Sequence, residues 1–115
     1  MSATAYLMWK YRMRIHTAKE PKRVDVGTSV TKILEHNADR LHFLVVNLGD
    51  YNVFIAPSSK VSTNFGIKVV AHGGSVTFDV DDDGIAVTSD FYAIAEAGTN
   101  PLFIYEIVGE WYGEG

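Results

Sequence analysis

Four carboxylates fall within the stretch FDVDDDG, at Asp79, Asp81, Asp82 and Asp83, and Gly84 closes it. Clustered acids have two chemical uses: convergent oxygens bind a hard cation, and a facing pair performs general acid–base work. An EF-hand loop needs a Glu at its twelfth position and flanking helices. Here GIAVTSD follows, without a Glu, and strand-like patterning lies on both sides. Asp-Gly between two alternating segments is a strong hairpin signal, because both residues tolerate positive φ and the aspartate bonds its own backbone. The stretch therefore reads as a solvated hairpin turn, with a structural calcium shared with Asp90 as the alternative.

Other residue types that do chemistry are present without the spacing that chemistry needs. The glycine pair of AHGGS, Ala71–Ser75, precedes a strand, whereas phosphate-cradling loops lead into a helix N-terminus, so it reads as a turn. His16, His36, His42 and His72 show neither H-x-H nor H-E-x-x-H spacing and fall on four separate segments. A barrel enzyme using His42, His72 and Glu96 is the weakest of the readings. The chain has no cysteine, hence no thiolate nucleophile and no disulfide framework, and its serines lack a G-x-S-x-G elbow. Glu96, Glu106 and Glu110 have no paired partner in the sequence pattern. No catalytic, cofactor-binding or metal-ligating residue is assigned, and the expectation is a non-enzyme.

The elements that would position any site are strands. From Trp9 to His16, Trp9, Tyr11, Met13 and Ile15 alternate with Lys10, Arg12, Arg14 and His16, which is a period of two with one wet face. Thr17–Arg23 is a polar loop containing Pro21. Val24–His36 reads as strand, bent at Gly27, because Val30, Thr31 and Ile33 are β-branched, with a short helix over Ser29–His36, capped by Thr28 or Ser29, as the alternative. Leu41–Leu48 and Tyr51–Ala56 read as a hairpin across LGDYN. Further strands are expected at Ile67–Ala71, Ser75–Val80, Ile85–Val87, Phe91–Ala95 and Leu102–Glu110. Roughly eight or nine short strands with a turn about every ten residues give an all-β antiparallel sandwich or jelly-roll-like barrel. At 115 residues this is one domain, 1–115, with 1–23 an extended basic N-terminal strand and loop for oligomer contacts.

Net charge is −4, but residues 1–40 hold eight of the ten Lys and Arg against four acids, while residues 41–115 hold two against ten acids. The bulk charge disfavours nucleic acid. On the first strand the rings and the cations take opposite faces, unlike a stacking platform, so nucleic acid is not an expected partner. The acidic partner for the basic third is another copy of the chain. No segment has the roughly 18–20 consecutive apolar residues of a membrane helix, and aromatics precede the positive charges of MSATAYLMWKYRMRIH, so a non-exported chain without a membrane partner is expected. Trp111 and Tyr112 near one end, with Trp9 and Tyr11 near the other, are aromatics suited to a subunit contact. These four are the expected interface residues, buried where the first strand meets the last.

From Leu41 to Glu110 an order of blocks recurs: a hydrophobic strand ending in Asn-x-Gly, the Val-Phe-Ile strand, S-x-x-V-S, F-G-I, the G-G turn, and A-x-A-E-A-G-x-x-P leading into a strand with a terminal Glu. This order resembles small β-sandwich structural proteins of tailed bacterial and archaeal viruses, which serve as head-decorating, fibre-associated or similar virion components. The resemblance covers about 70 residues and implies a non-enzymatic virion part, most simply a homotrimer, with a major capsid or other virion protein as its second partner. It carries over no ligand or catalytic residue. The rival expectation is a carbohydrate- or other ligand-binding β-sandwich module, with Tyr51, Phe65 and Tyr92 as its exposed aromatics.

Overall fold

The β-branched and aromatic runs fold as strands in a computed structural model that describes residues 13–15 and 20–111. In chain order they are β1 (Met13–Ile15), β2 (Lys22–Val26), β3 (Thr31–Leu34), β4 (Arg40–Asn47), β5 (Val53–Ala56), β6 (Ile67–Val69), β7 (Ser75–Asp79), β8 (Phe91–Ala95) and β9 (Asn100–Trp111). Between β7 and β8 lie one helical turn, α1 (Val80–Asp83), and a 3₁₀ turn over Gly84–Thr88.

Two antiparallel sheets form. One has the order β1-β9-β4-β7, with β2 also paired to β9, and the other has the order β3-β8-β5-β6. β5 pairs with β6, and around that pair are nested β4 with β7, β3 with β8 and β2 with β9. A long hairpin wound in this manner across two sheets is a jelly roll. That topology resolves the choice between sandwich and barrel left open by the strand count.

Alternation puts one face of each strand between the sheets. In β4, Phe43, Val45 and Asn47 point inward, and in β9 so do Leu102, Ile104, Glu106 and Val108. Phe43 stacks on Phe78 with ring centroids 5.1 Å apart, and Phe91 meets both edge-on at 4.8 and 5.1 Å. Rings at such separations add about 0.5–1.5 kcal/mol per pair to the gain from burying their area. Val26, Ile33, Leu34, Val53, Ile55 and Ala93 complete the layer.

Two expected hairpins are corrected. β4 and β5 lie in different sheets, as do β7 and β8, so LGDYN and the Asp-Gly stretch are corners between sheets. Of the connections joining β2 through β9, that between β5 and β6 stays within a sheet and the other six cross. The physical reason is partner choice. β4 is central, with β9 on one side and β7 on the other, so no edge remains for β5. The expected strand Ile85–Val87 is also corrected: it is 3₁₀, with Ile85 exposed and Val87 buried.

The expected strand over Val24–His36 is present as β2 and β3, interrupted at 27–30, and β2 begins at Lys22, inside the expected loop. The first described strand does meet the last: Met13, Arg14 and Ile15 pair with Trp111, Glu110 and Gly109. Of the expected interface residues, Trp9, Tyr11 and Tyr112 lie outside the described residues, and Trp111 is placed by its backbone pairing.

Candidate interaction surface

Arg40 opens β4 and is 2% exposed. Its Nε donates to Glu106 Oε1 at 2.9 Å, Nη1 to the carbonyls of Val87 and Ser89 at 3.0 and 3.1 Å, and Nη2 to the Glu35 carbonyl at 2.5 Å. The Phe43 ring lies 5.8 Å from the guanidinium carbon. One side chain thus joins the β3–β4 loop, the 3₁₀ turn and β9. A recess of about 210 Å³ adjoins it, lined by Lys22, Glu35, His36, Asn37, Arg40 and Glu106. That volume is below the usual 300–1,000 Å³ of a small-molecule site. The guanidinium spends its donors on protein acceptors, so the cluster acts as a pin between loops.

At the opposite end of the sandwich two buried asparagines hold the corners. Asn47 Nδ2 donates to the carbonyls of Tyr51 (2.8 Å) and Val69 (3.0 Å), and its Oδ1 accepts from Gly49 N–H at 2.9 Å. Asn100 Oδ1 accepts from Tyr51 N–H at 3.0 Å, and its Nδ2 donates to Ala97 O at 2.9 Å. Gly49 is required here, since a Cβ would lie 2.3 Å from Asn100 Oδ1. These bonds turn the chain from one sheet into the other.

Two carboxylates of the acidic stretch accept from backbone donors. Asp79 caps α1, its Oδ1 accepting from Asp82 N–H at 3.0 Å, while Asp83 Oδ2 accepts from Asp79 N–H at 3.0 Å. Acids in the first helical turn also meet the positive end of the peptide dipoles, which is why a helical turn forms where a hairpin was expected. Asp79→Ala is expected to lower stability by about 1 kcal/mol, and Asp79→Asn by much less, because asparagine caps equally well. Urea denaturation checks this; equal losses for the two variants would count against capping.

His72 and Glu96 lie at the corner end, where His72 Nδ1 is 3.8 Å from Asp50 Oδ1 and Glu96 Oε2 accepts from Asn52 N–H at 3.1 Å. His42 is on β4 beside Asp79 and Ile107, near the other end, so His42, His72 and Glu96 are not brought together. Among the described residues no group of three or more His, Cys, Asp or Glu is arranged to hold a metal ion. Tyr51 and Phe65 are exposed, at 45% and 54%, but lie in the loops at opposite ends of β5.

A feature not anticipated in sequence is the outer face of the five-stranded sheet. On it β9 presents Phe103, Tyr105 and Ile107, and β4 presents Leu44 and Val46, with His42 beside Ile107 at the end near β7's Asp79. Register places Val46 beside Phe103 and Leu44 beside Tyr105. Phe103 and Tyr105 stack at 6.4 Å, and Phe103 remains 36% exposed. A sheet with one free face ordinarily carries polar residues there. The signal was available: LHFLVV and LFIYEIV are apolar on both strand faces, the pattern of strands covered twice.

The outer face of the other sheet differs. Phe54, Tyr92 and Ile94 are flanked by Lys68 beside Phe54 and Lys32 beside Tyr92. The Lys32 ammonium stands 5.6 Å from the Tyr92 ring centre and 3.8 Å from Asp90. Partial desolvation pulls the Lys32 pKa down, but the Asp90 and Glu35 carboxylates outweigh it and hold the ammonium above the usual lysine range. Lysines of this kind guard a sheet against association. β4 and β9 place none on their outer face.

No protein-family model, curated protein or solved structure matches this chain.

Proposed function

We propose that the chain is a non-enzymatic structural protein that works by protein–protein assembly, as a virion component that associates with copies of itself and with a capsid or other virion protein. The observation that carries the assembly reading is the lysine-free apolar face of Leu44, Val46, Phe103, Tyr105 and Ile107 on the outer side of the five-stranded sheet, where Phe103 is 36% exposed and the other four are half-buried. The virion reading is supported by the block order of residues 41–110 and by the jelly roll, an architecture used by capsid proteins among others.

The expected result is a solution mass above 12.7 kDa by light scattering at two concentrations about tenfold apart. Phe103→Lys is expected to keep the circular dichroism of the parent and to weaken association by about tenfold or more. Mass spectrometry of purified virus particles from the source of the chain tests the location. A monomer at both concentrations that is also missing from particles would overturn the proposal.

A further inference from the structure

We infer that the apolar outer face is closed by the same face of a second copy, in a twofold dimer whose axis passes between Tyr105 and Leu44. The inference rests on the assembly reading and supplies its partner. The face is bounded by β2 on one side and β7 on the other, with β9 and β4 between them. Tyr105 and Leu44, paired across β9 and β4, mark its centre.

The charges lie at opposite corners. Arg23 is level with Phe103 on the β2 margin, and Asp79 is level with His42 and Ile107 on the β7 margin. The first is two residues above the central pair and the second two below it. With strands about 4.8 Å apart and about 3.3 Å per residue, the corners are roughly 20 Å apart and equidistant from the centre. A twofold through that centre, lying in the plane between two facing sheets, sets Arg23 of each copy over the partner's Asp79, twice in the dimer. The strands of the two copies then cross near 90°, one of the two angles at which sheets pack.

An isologous contact requires a surface complementary to itself, and a centred apolar patch with opposite charges at diagonal corners meets that requirement. Arg23 already pairs with Asp25 on its own strand at 2.9 Å, but both are well exposed, so the guanidinium keeps donors for a second carboxylate. The excess of cations in residues 1–40 and of acids in residues 41–115 has the same sense. Two copies attract although each is net negative. A twofold closes the face completely, so this contact gives a dimer in place of the trimer implied by resemblance.

The test uses the full chain, whose lack of cysteine makes single-cysteine variants informative. Tyr105→Cys, next to the axis, is expected to be linked into a dimer by a bismaleimide of about 10 Å reach, the spacing of two facing sheets and too long for a direct disulfide, while Lys68→Cys on the opposite sheet stays unlinked. Arg23→Gln and Asp79→Asn, which retains the helix cap, are each expected to weaken dimerisation about three- to tenfold. The double variant is expected to be little weaker than either single one, as for partners in one contact. A dimer that links through position 105 supports the inference. A trimer, an oligomer indifferent to these changes, or linking at Lys68→Cys alone overturns it and leaves the assembly reading standing. A monomer found in virus particles overturns the dimer and assigns the face to another virion protein.

Discussion

Arg40→Ala is expected to lose about 3–5 kcal/mol of folding stability, the usual cost of removing one member of a buried ion pair. Both partners are enclosed, with side-chain exposures of 2% for Arg40 and 9% for Glu106. Truncation leaves Glu106 without its cation and takes a donor from the carbonyls of Glu35, Val87 and Ser89 at once. Glu106→Gln is expected to cost less, since the amide oxygen still accepts from Nε and the three carbonyl bonds remain. Guanidinium denaturation of the two variants and the parent provides the comparison. A loss below about 1 kcal/mol for Arg40→Ala, within the range of ordinary surface changes, would be incompatible with the pin described.

Asn47→Leu, close in volume, is expected to cost about 3 kcal/mol or more. The substitution leaves the Gly49 N–H and the Tyr51 and Val69 carbonyls to find other partners in a corner where Asn47 itself is fully enclosed. Each buried polar group so orphaned costs about 1–3 kcal/mol, moderated where water can enter. Asn47→Asp separates shape from donor chemistry, because it preserves the acceptor for Gly49 and loses the Nδ2 donors. Hydrogen exchange at the Gly49 amide supplies a local readout: faster exchange is expected in the leucine variant. Unchanged exchange together with unchanged stability would sink the corner role.

Both expected losses concern the scaffold, and both bear on assembly. Arg40 and Asn47 cap the two ends of β4, whose outer side chains Leu44 and Val46 are two of the five apolar side chains of that face. The ends of β4 are held by polar bonds, so its middle can be apolar on both faces without losing its place in the sheet. Breaking either end should therefore also weaken association through that face.

How much of this could be read from residues alone differs between elements. The β-branched and aromatic runs Leu41–Leu48 and Phe91–Ala95 and the turn residues around Gly49, Gly73 and Gly98 locate strands and chain reversals, because strand preference and backbone freedom are local properties. The apolar outer face lies in the same letters but has no local mark of its own to tell it from the core face. LHFLVV also suits an ordinary central strand, and which face meets the core is known once neighbours are assigned. Arg40 and Glu106, 66 residues apart in the chain, carried no local mark of their meeting. The acids of FDVDDDG read as a solvated hairpin turn, whereas Asp79 caps a helical turn that leads into the other sheet.

The sequence by itself determined an all-β domain, the positions of most strands and turns, the absence of cysteine chemistry and the uneven placing of charge. These follow from composition, from a period of two and from turn residues, all of which act within a few positions of one another. The tertiary structure decided the winding of β2 to β9 into a jelly roll, the burial of Arg40 with Glu106, and the alignment of Phe103, Tyr105, Ile107, Leu44 and Val46 on one free face. Those depend on which distant strands share hydrogen bonds, and a strand's partners are chosen by the whole core rather than by its own residues.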